Sequence, residues 1–251
     1  MKTTVKIIIG FVVVIALWWV LAETEWAKAS PRTAWLAHPI TVAVSLKTIL
    51  TNQLHHIGAT MVRVIEATVL VLTVGIVCGI LLGYLSLGYP FFEGVLDFWR
   101  SIPPIVVLPV LFFIQPEGDW ARIALVFFGC FPILVMQIAE SVRSIPPERR
   151  DFAQQIGASA IFKVRRILWY ELLPHLFISV RTVVSFTVII IVVSEMVRGA
   201  GSGIGDQINS YMFSDVGTPF VYAYAIITGL LGFFFNLLTR WTENRAVSWR
   251  N

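Results

Sequence analysis

The sequence predicts an all-α membrane protein with six transmembrane helices. Of its 251 residues, 57% are hydrophobic and 14% are charged, and the mean hydropathy is +0.80. Soluble domains are nearer to about 45–50% apolar and about 25% charged. Long apolar segments recur along the chain, at about the 20 residues that a helix needs to cross roughly 30 Å of hydrocarbon. The net charge of +4 fits a basic rim on one membrane face better than a nucleic-acid surface, so no nucleic-acid partner is expected.

Residues 1–58 are expected to form an N-terminal transmembrane helix and an outer amphipathic segment, and residues 59–251 the core. The first span is either a signal peptide or a signal anchor, and we expect the anchor. Lys2 and Lys6 before it predict that its first end lies in the cytoplasm. Residues 42–54 predict a short helix at the outer surface. The six predicted spans are residues 7–22, 60–87, 100–115, 123–139, 176–197 and 219–239.

The second span carries a stripe of small residues. Gly75, Gly79 and Gly83 recur at every fourth position, a spacing that lets a neighbouring helix approach closely. We expect this stripe to serve packing and not a ligand. On the same span, Arg63 and Glu66 are expected to form an ion pair one turn apart.

Prolines interrupt the third apolar segment. Residues 88–99 are expected to be a short cytoplasmic connection, after which Pro103, Pro104 and Pro109 loosen the helical backbone. Because lipid penalises unpaired backbone carbonyls, we expect this segment to line an internal cavity or path instead of facing lipid.

Two charged residues within the fifth span need polar surroundings. Arg181 and Glu195 are about 21 Å apart along a helix, so they cannot pair with each other there. A charge near the bilayer centre costs about 2.5–3.5 kcal/mol on insertion scales. Arg181 can attract an anion or pair with a carboxylate such as Glu140, and Glu195 can belong to an outer gate. For both residues, a structural ion pair and a transport contact remain open.

The sequence shows no catalytic or metal-binding constellation. His55 and His56 are adjacent, but without a Cys, Asp or third His nearby we interpret them as polar residues at a helix end. Cys78 and Cys130 are expected to be buried free thiols. The glycine-rich run 199–205 lacks the dinucleotide-binding register and predicts a flexible outer loop. No G-x-x-x-x-G-K-[ST] phosphate loop occurs, so any ATP must be hydrolysed by another chain.

Residues 146–174 form a polar island between the fourth and fifth spans. Pro147 suits a helix start, Gly157 a tight turn and Ser159 a second helix start, with Pro174 at its end, so two short helices are predicted. Basic loops lie on the cytoplasmic side. The residues alone allow two roles, docking onto a cytoplasmic partner or lying on anionic headgroups of the inner leaflet. The basic residues of the island are Arg149, Arg150, Lys163, Arg165 and Arg166, and Arg143 lies just before it.

This island resembles the cytoplasmic Glu-Ala-Ala loop of bacterial ABC-importer permeases. Residues 151–153 stand at the Glu-Ala-Ala positions, with Phe152 in place of a small residue, and residues 157–159 stand at the glycine turn. The resemblance implies a coupling helix that contacts an ATPase subunit. The residues implied in this contact are Asp151, Phe152, Ala153, Gly157, Ala158, Ser159 and Phe162.

Further blocks at residues 100–109, 131–133 and 194–205 resemble the nitrate/sulfonate/taurine-type branch of these permeases. The resemblance covers residues 55 to 240 and implies the type I importer fold, with the coupling helix between spans four and five. It also implies a multi-pass subunit of the bacterial cytoplasmic membrane with both termini in the cytoplasm.

The implied function is inward transport of a small solute, which Arg181 suggests is an anion. The implied partners are a second copy of the chain, two ATPase subunits that hold ATP and magnesium, and a periplasmic or lipid-anchored binding protein. The permease itself would bind no cofactor and would not be an enzyme. The alternatives are a stand-alone secondary transporter or channel, whose inverted repeats are not evident, and an intramembrane enzyme, whose nucleophile–base set is not evident either.

Overall fold

The computed structural model of this protein describes residues 2–24, 36–85, 89–115, 118–146, 148, 169–197, 201–214 and 217–247. All regular secondary structure in these ranges is helical, which confirms the predicted all-α class. In chain order the helices are α1 Lys2–Ala22, α2 Pro39–Asn52, α3 Leu54–Tyr84, α4 Tyr89–Arg100, α5 Pro104–Ile114, α6 Trp120–Arg143, α7 Trp169–Val197, α8 Ile204–Met212 and α9 Thr218–Ala246.

Four of the described helices, α3, α6, α7 and α9, are long and apolar enough to cross a membrane. Helices α4 and α5 pass the same test together, but they are bent by 86° relative to each other. The described residues therefore contain four spans, or five if the bent pair is one span. Six spans remain a prediction, with α1, 21 residues long, as the further candidate.

The glycine stripe of α3 packs directly on α6. A Cβ atom on Gly79 would lie 2.7 Å from the Cβ of Ile138 and 3.0 Å from the carbonyl oxygen of Val135, closer than side chains ordinarily approach. This contact confirms the predicted packing role of the stripe. The three facing pairs are Gly75 with Leu134, Gly79 with Ile138, and Gly83 with Val142.

The order of these pairs fixes the relative direction of α3 and α6. Each step of four residues towards the end of α3 is matched by a step of four residues towards the end of α6, so the two helices run parallel. Two parallel helices that cross one membrane need an odd number of crossings between them. This geometry favours one broken span for α4 and α5 over a re-entrant loop.

Residues 88–99, expected to be a short cytoplasmic connection, contain helix α4, which was not predicted, and their cytoplasmic placement stays a prediction. Tyr89 and Leu96 lie two turns apart on one face of α4 and are buried, whereas Phe91 and Phe98 are exposed. This amphipathic pattern lets the helix pack sideways on its neighbours. The buried cluster consists of Leu82, Tyr89, Leu96, Val135, Met136 and Ala139.

The chain divides into two compact units. The first comprises Met1–Thr60 and Glu195–Leu230, and the second comprises Met61–Ser194 and Leu231–Asn251. The predicted boundary between residues 58 and 59 stays a prediction.

In the first unit, α1 is tied to the start of α2. The indole N–H of Trp18 donates to the carbonyl oxygen of Ala37 at 3.0 Å. His38 caps α2, since its Nδ1 accepts the backbone N–H of Ile40, and Pro39 follows as the first helical residue. These signals begin α2 three residues before the predicted start of the short helix at residue 42.

Candidate functional site

The seven residues predicted to contact an ATPase lie outside the described residues, so their roles stay predictions. The start of α7 does bear on the polar island. Pro174, expected to end the second short helix, lies inside α7, which begins at Trp169. A proline this close to a helix start interrupts at most one early intrahelical hydrogen bond, so the helix continues. The seven residues are Asp151, Phe152, Ala153, Gly157, Ala158, Ser159 and Phe162.

Pro103, Pro104 and Pro109 mark a break in the third apolar segment. Helices α4 and α5 meet at 86° across residues 101–103. Pro104 is the first residue of α5, where a missing N–H breaks no helical bond. Pro109 lies within α5 and cannot donate to the carbonyl of residue 105. The predicted segment, residues 100–115, therefore holds one short helix, α5, after a sharp bend from α4.

One face of α5 packs on α6, and the opposite face is uncovered. Leu108 and Phe112 are buried against Leu125, whereas Val106 is 64% exposed and Phe113 is 87% exposed. An interrupted helix with an uncovered apolar side suits a wall of a transport path, and it equally suits a surface covered by lipid. The path role of the three prolines stays a prediction.

Arg181 pairs with a carboxylate of α9. Its Nη2 lies 2.6 Å from the Oε2 of Glu243, and the two side chains are 31% and 23% exposed. One turn further along α7, the hydroxyl of Ser185 accepts a hydrogen bond from Asn236 at 3.3 Å, so α7 and α9 run antiparallel. The partner suggested from the sequence, Glu140, is wrong, because that residue is exposed and the antiparallel packing presents Glu243 instead.

Arg63 also has a different partner from the predicted one. Its Nε donates to the Oδ1 of Asp119 at 2.7 Å, and Arg122 approaches the same oxygen at 3.5 Å. Both arginines are buried, at 5% and 4% exposure. Because α3 and α6 run parallel, the residue before α6 lies beside the first half of α3. Glu66, the predicted partner, is exposed.

Glu195 is fully buried and lies in a hydrogen-bonded cluster. The hydroxyl of Thr60 donates to both carboxylate oxygens, at 3.1 and 3.0 Å. The backbone N–H of Gly205 donates to the Oε2 atom at 2.9 Å. These contacts satisfy a carboxylate that would otherwise be costly to bury. The geometry establishes a structural contact for Glu195, and its place in an outer gate stays a prediction.

The same cluster fixes part of the glycine-rich run, for which the sequence predicts a flexible loop. The N–H of Gly203 donates to the Nδ1 of His56 at 3.2 Å, and the N–H of Ile204 donates to the hydroxyl oxygen of Thr60 at 2.8 Å. Residues 203–205 are therefore held by side chains of α3 and α7. His56 acts as a polar residue at a helix end, in keeping with its interpretation from the sequence.

Sequence reasoning found the charged residues but missed their partners. Thr60 lies 135 residues from Glu195, and Glu243 lies 62 residues from Arg181. An ionisable residue in an apolar span indicates that a polar partner exists, but not which one. Only the packing directions of the helices select it.

The described residues contain no group of three or more His, Cys, Asp or Glu side chains placed to hold a metal ion. Cys78 and Cys130 are free, and the second is buried as predicted whereas the first is half-buried.

Comparison with known proteins gives a consistent assignment. Residues 72–248 match the family described as binding-protein-dependent transport system inner membrane component. The nitrate import permease protein NrtB of Leptolyngbya laminosa is 24% identical over 256 residues, covering 98% of this chain and 88% of that protein. The taurine transport system permease protein TauC of Escherichia coli (strain K12) is also 24% identical, covering 94% of this chain and 86% of that protein.

A solved structure shares the fold. A chain of the MetNI methionine ABC transporter, in inward-facing conformations, aligns with a TM-score of 0.62 at 18% identity, covering 80% of this chain and 97% of that chain. The family match spans more than half of the sequence and includes the helices α6, α7 and α9. The chain therefore belongs to the binding-protein-dependent transport system inner membrane components, the multi-pass permeases of ABC importers.

Proposed function

We propose that this chain is the permease subunit of an ABC importer of the nitrate/sulfonate/taurine type, and that it moves a small anionic solute inward. The family match over residues 72–248 carries the proposal. Two similar proteins are named for nitrate and taurine transport, and both solutes bear an oxyanion group. The type I importer fold is supported by the likeness to the methionine transporter.

The energy would come from a separate ATPase subunit that binds ATP and magnesium, because the sequence has no phosphate-binding loop. The polar island, residues 146–174, would be the contact with that subunit. The island follows α6 and leads into α7. If it forms the predicted helical hairpin, its attachment to a membrane helix at each end would make it stiff enough to transmit movement. Asp151 and Gly157 would matter most, as a polar contact and as the tight turn.

The assembly would contain two copies of this chain, two ATPase subunits and a periplasmic or lipid-anchored binding protein. Both termini would lie in the cytoplasm, which requires an even number of crossings, and the six predicted spans meet this requirement. The parallel direction of α3 and α6 supports this count, because it calls for one crossing between them.

The translocation path would run beside the broken segment that contains Pro103, Pro104 and Pro109. An interrupted helix frees backbone polar groups that a solute leaving water can use. Arg181 and Glu195 are the charged candidates for the path. The pairing of Arg181 with Glu243 implies that an anion would have to compete with that carboxylate for the guanidinium.

The experiment is uptake by proteoliposomes that contain the chain, its ATPase and its binding protein, with ATP hydrolysis measured in parallel. We expect uptake to require both ATP and binding protein. Gly157→Leu and Asp151→Leu should lower the solute transported per ATP at least tenfold, because a distorted hairpin no longer transmits nucleotide closure. Gly94→Leu is the matched control, since a Cβ at this exposed glycine meets no atom within 4 Å.

Two outcomes would contradict the proposal. Unchanged solute transported per ATP in both hairpin variants would remove the coupling role of the polar island. Uptake by the chain alone, without ATP, would support a stand-alone secondary transporter or channel instead.

A further inference from the structure

Three consecutive backbone N–H groups at the start of α8 are each capped by a side chain from another helix. Gly203 donates to the Nδ1 of His56, Ile204 to the hydroxyl of Thr60, and Gly205 to the carboxylate of Glu195. A helix start leaves such N–H groups without intrahelical partners, and usually a local side chain or water satisfies them. Here α8 has no local side-chain cap, because its N-cap residue is a glycine.

Thr60 is the centre of this arrangement. Its hydroxyl accepts from Ile204 and donates to Glu195, so one side chain joins the start of α3, the end of α7 and the start of α8. Thr60 and Glu195 are both 0% exposed.

The backbone of the loop is shaped to this carboxylate. Gly203 has φ of +137°, a conformation that side chains other than glycine rarely adopt. A Cβ atom there would lie 2.6 Å from the Cδ of Glu195. Both the backbone angle and the close approach therefore require a glycine at this position.

The other end of α8 is held as well. The hydroxyl of Tyr211 accepts from the Nε2 of Gln53 at 2.9 Å, and the hydroxyl of Tyr224 donates to the Oε1 of the same amide. Tyr211 also stacks on Phe220, with ring centroids 4.4 Å apart. Gln53 lies between α2 and α3, so both ends of α8 are anchored near the start of α3.

We propose that His56, Thr60 and Glu195 form a clasp that keeps α8 docked throughout the transport cycle, and that coupled uptake depends on this docking. Helix α8 joins α7 to α9, two membrane-crossing helices, so movement of one reaches the other through α8. A docked α8 makes the adjoining ends of α3, α7 and α9 move as one body. The three clasp residues are positioning residues. The claim that α8 stays docked is the docking half of this proposal, and it does not depend on the proposed function. The claim that coupled uptake depends on docking is the coupling half, and it rests on the proposed function.

Hydrogen–deuterium exchange of residues 201–212 in the complete transporter tests the docking. We expect slow exchange in the wild type, both without nucleotide and with ATP trapped by a hydrolysis-deficient ATPase. Thr60→Val should speed exchange at least tenfold, because valine keeps the shape but offers neither donor nor acceptor. Thr60→Ser restores the hydroxyl and should exchange slowly. Thr68→Val is the matched control on α3, since the buried hydroxyl of Thr68 has no hydrogen-bond partner among the described residues.

Equal exchange in wild type and Thr60→Val would overturn the clasp, and so would loss of protection in the wild type on trapping ATP. If Thr60→Val does not fold, Glu195→Gln takes its place. That variant keeps the shape and one acceptor oxygen, and it should exchange faster than wild type but more slowly than a variant without any acceptor, Glu195→Leu.

The solute transported per ATP tests the coupling half. Thr60→Val and Glu195→Gln should lower this ratio at least fivefold, while Thr60→Ser and Thr68→Val leave it at the wild-type value. Faster exchange with an unchanged ratio would overturn the coupling half. A wild-type complex without ATP-dependent uptake would overturn the proposed function and the coupling half together, and the exchange result would still decide the docking.

Discussion

The guanidinium of Arg181 and the carboxylate of Glu243 lie 2.6 Å apart and join α7 to α9 near the end of the last helix. Neither residue is fully buried, so the pair retains some contact with its surroundings. The Nε atom of Arg181 is buried without a hydrogen-bond partner among the described residues. The pair therefore compensates the charge of Arg181 but does not use all of its donors.

This pair should contribute measurably to stability. We expect Arg181→Ala and Glu243→Ala each to lower the free energy of unfolding in detergent by about 1 kcal/mol, with a coupling energy of about 1 kcal/mol in the double variant. The pair Asp97–Arg100, whose side chains are 45% and 51% exposed, is the control and should couple by less than about 0.5 kcal/mol. Equal coupling energies in the two pairs would show that partial burial between α7 and α9 does not strengthen the Arg181–Glu243 interaction.

The glycine stripe should tolerate added volume unequally. Gly79→Ala places a methyl group 2.7 Å from the Cβ of Ile138, which cannot rotate away, and should destabilise by about 1–3 kcal/mol. Gly75→Ala meets the Cδ2 of Leu134 at 2.6 Å, and trimming that side chain with Leu134→Ala leaves an ordinary contact of 3.6 Å. In thermal unfolding, the variant with both Gly75→Ala and Leu134→Ala should therefore lose less stability than the sum of the losses of the two single variants. Gly229→Ala, which meets no atom within 4 Å, is the control.

The packing of α5 depends on a glycine of α6. A Cβ on Gly129 would lie 2.6 Å from the Cγ of Pro104 and 3.0 Å from the Cδ1 of Ile190. Gly129→Ala should cost about 1–3 kcal/mol, because a proline ring cannot move aside. Pro104→Ala removes that Cγ and should recover at least half of the loss in the double variant, as measured by denaturation. If the free-energy losses of the two single variants add up in the double variant, the Pro104 ring does not limit the space for a side chain at position 129.

The partner of Arg63 can be identified by two parallel substitutions. Asp119→Ala leaves the buried Arg63 without this carboxylate and should destabilise by about 2 kcal/mol. Glu66→Ala, on the exposed side of α3, should change the free energy of unfolding by less than about 0.5 kcal/mol. The free energies of unfolding are measured by denaturant titration. A larger loss for Glu66→Ala than for Asp119→Ala would favour Glu66 as the partner of Arg63, as expected from the sequence.

The helices were predictable where a local pattern decides them. The spacing of Gly75, Gly79 and Gly83 predicted close packing with another helix, and the apolar segments predicted α3, α6, α7 and α9. Helix α4 was not predicted, because its amphipathic pattern covers only 12 residues and includes polar positions. The fixed position of the glycine-rich run was not predicted for a different reason. Its backbone is held by His56, Thr60 and Glu195, which lie outside the run in the sequence, and not by its own residues.

Partners across the fold were not predictable. Local rules proposed Glu66 for Arg63 because the two lie on one helix face, whereas the parallel packing of α3 and α6 supplies Asp119. Distance along the chain carries no information on such contacts. They follow from the relative directions of helices, which a single sequence does not reveal.

The break before α5 leaves that helix shorter than a hydrocarbon core is thick. Eleven residues of helix rise about 17 Å, against about 30 Å for a hydrocarbon core. Because α4 turns away at 86°, it adds little to that height. Helix α5 alone therefore covers only about half of a hydrocarbon core, so the rest of that height at this place has to be filled by something other than this helix.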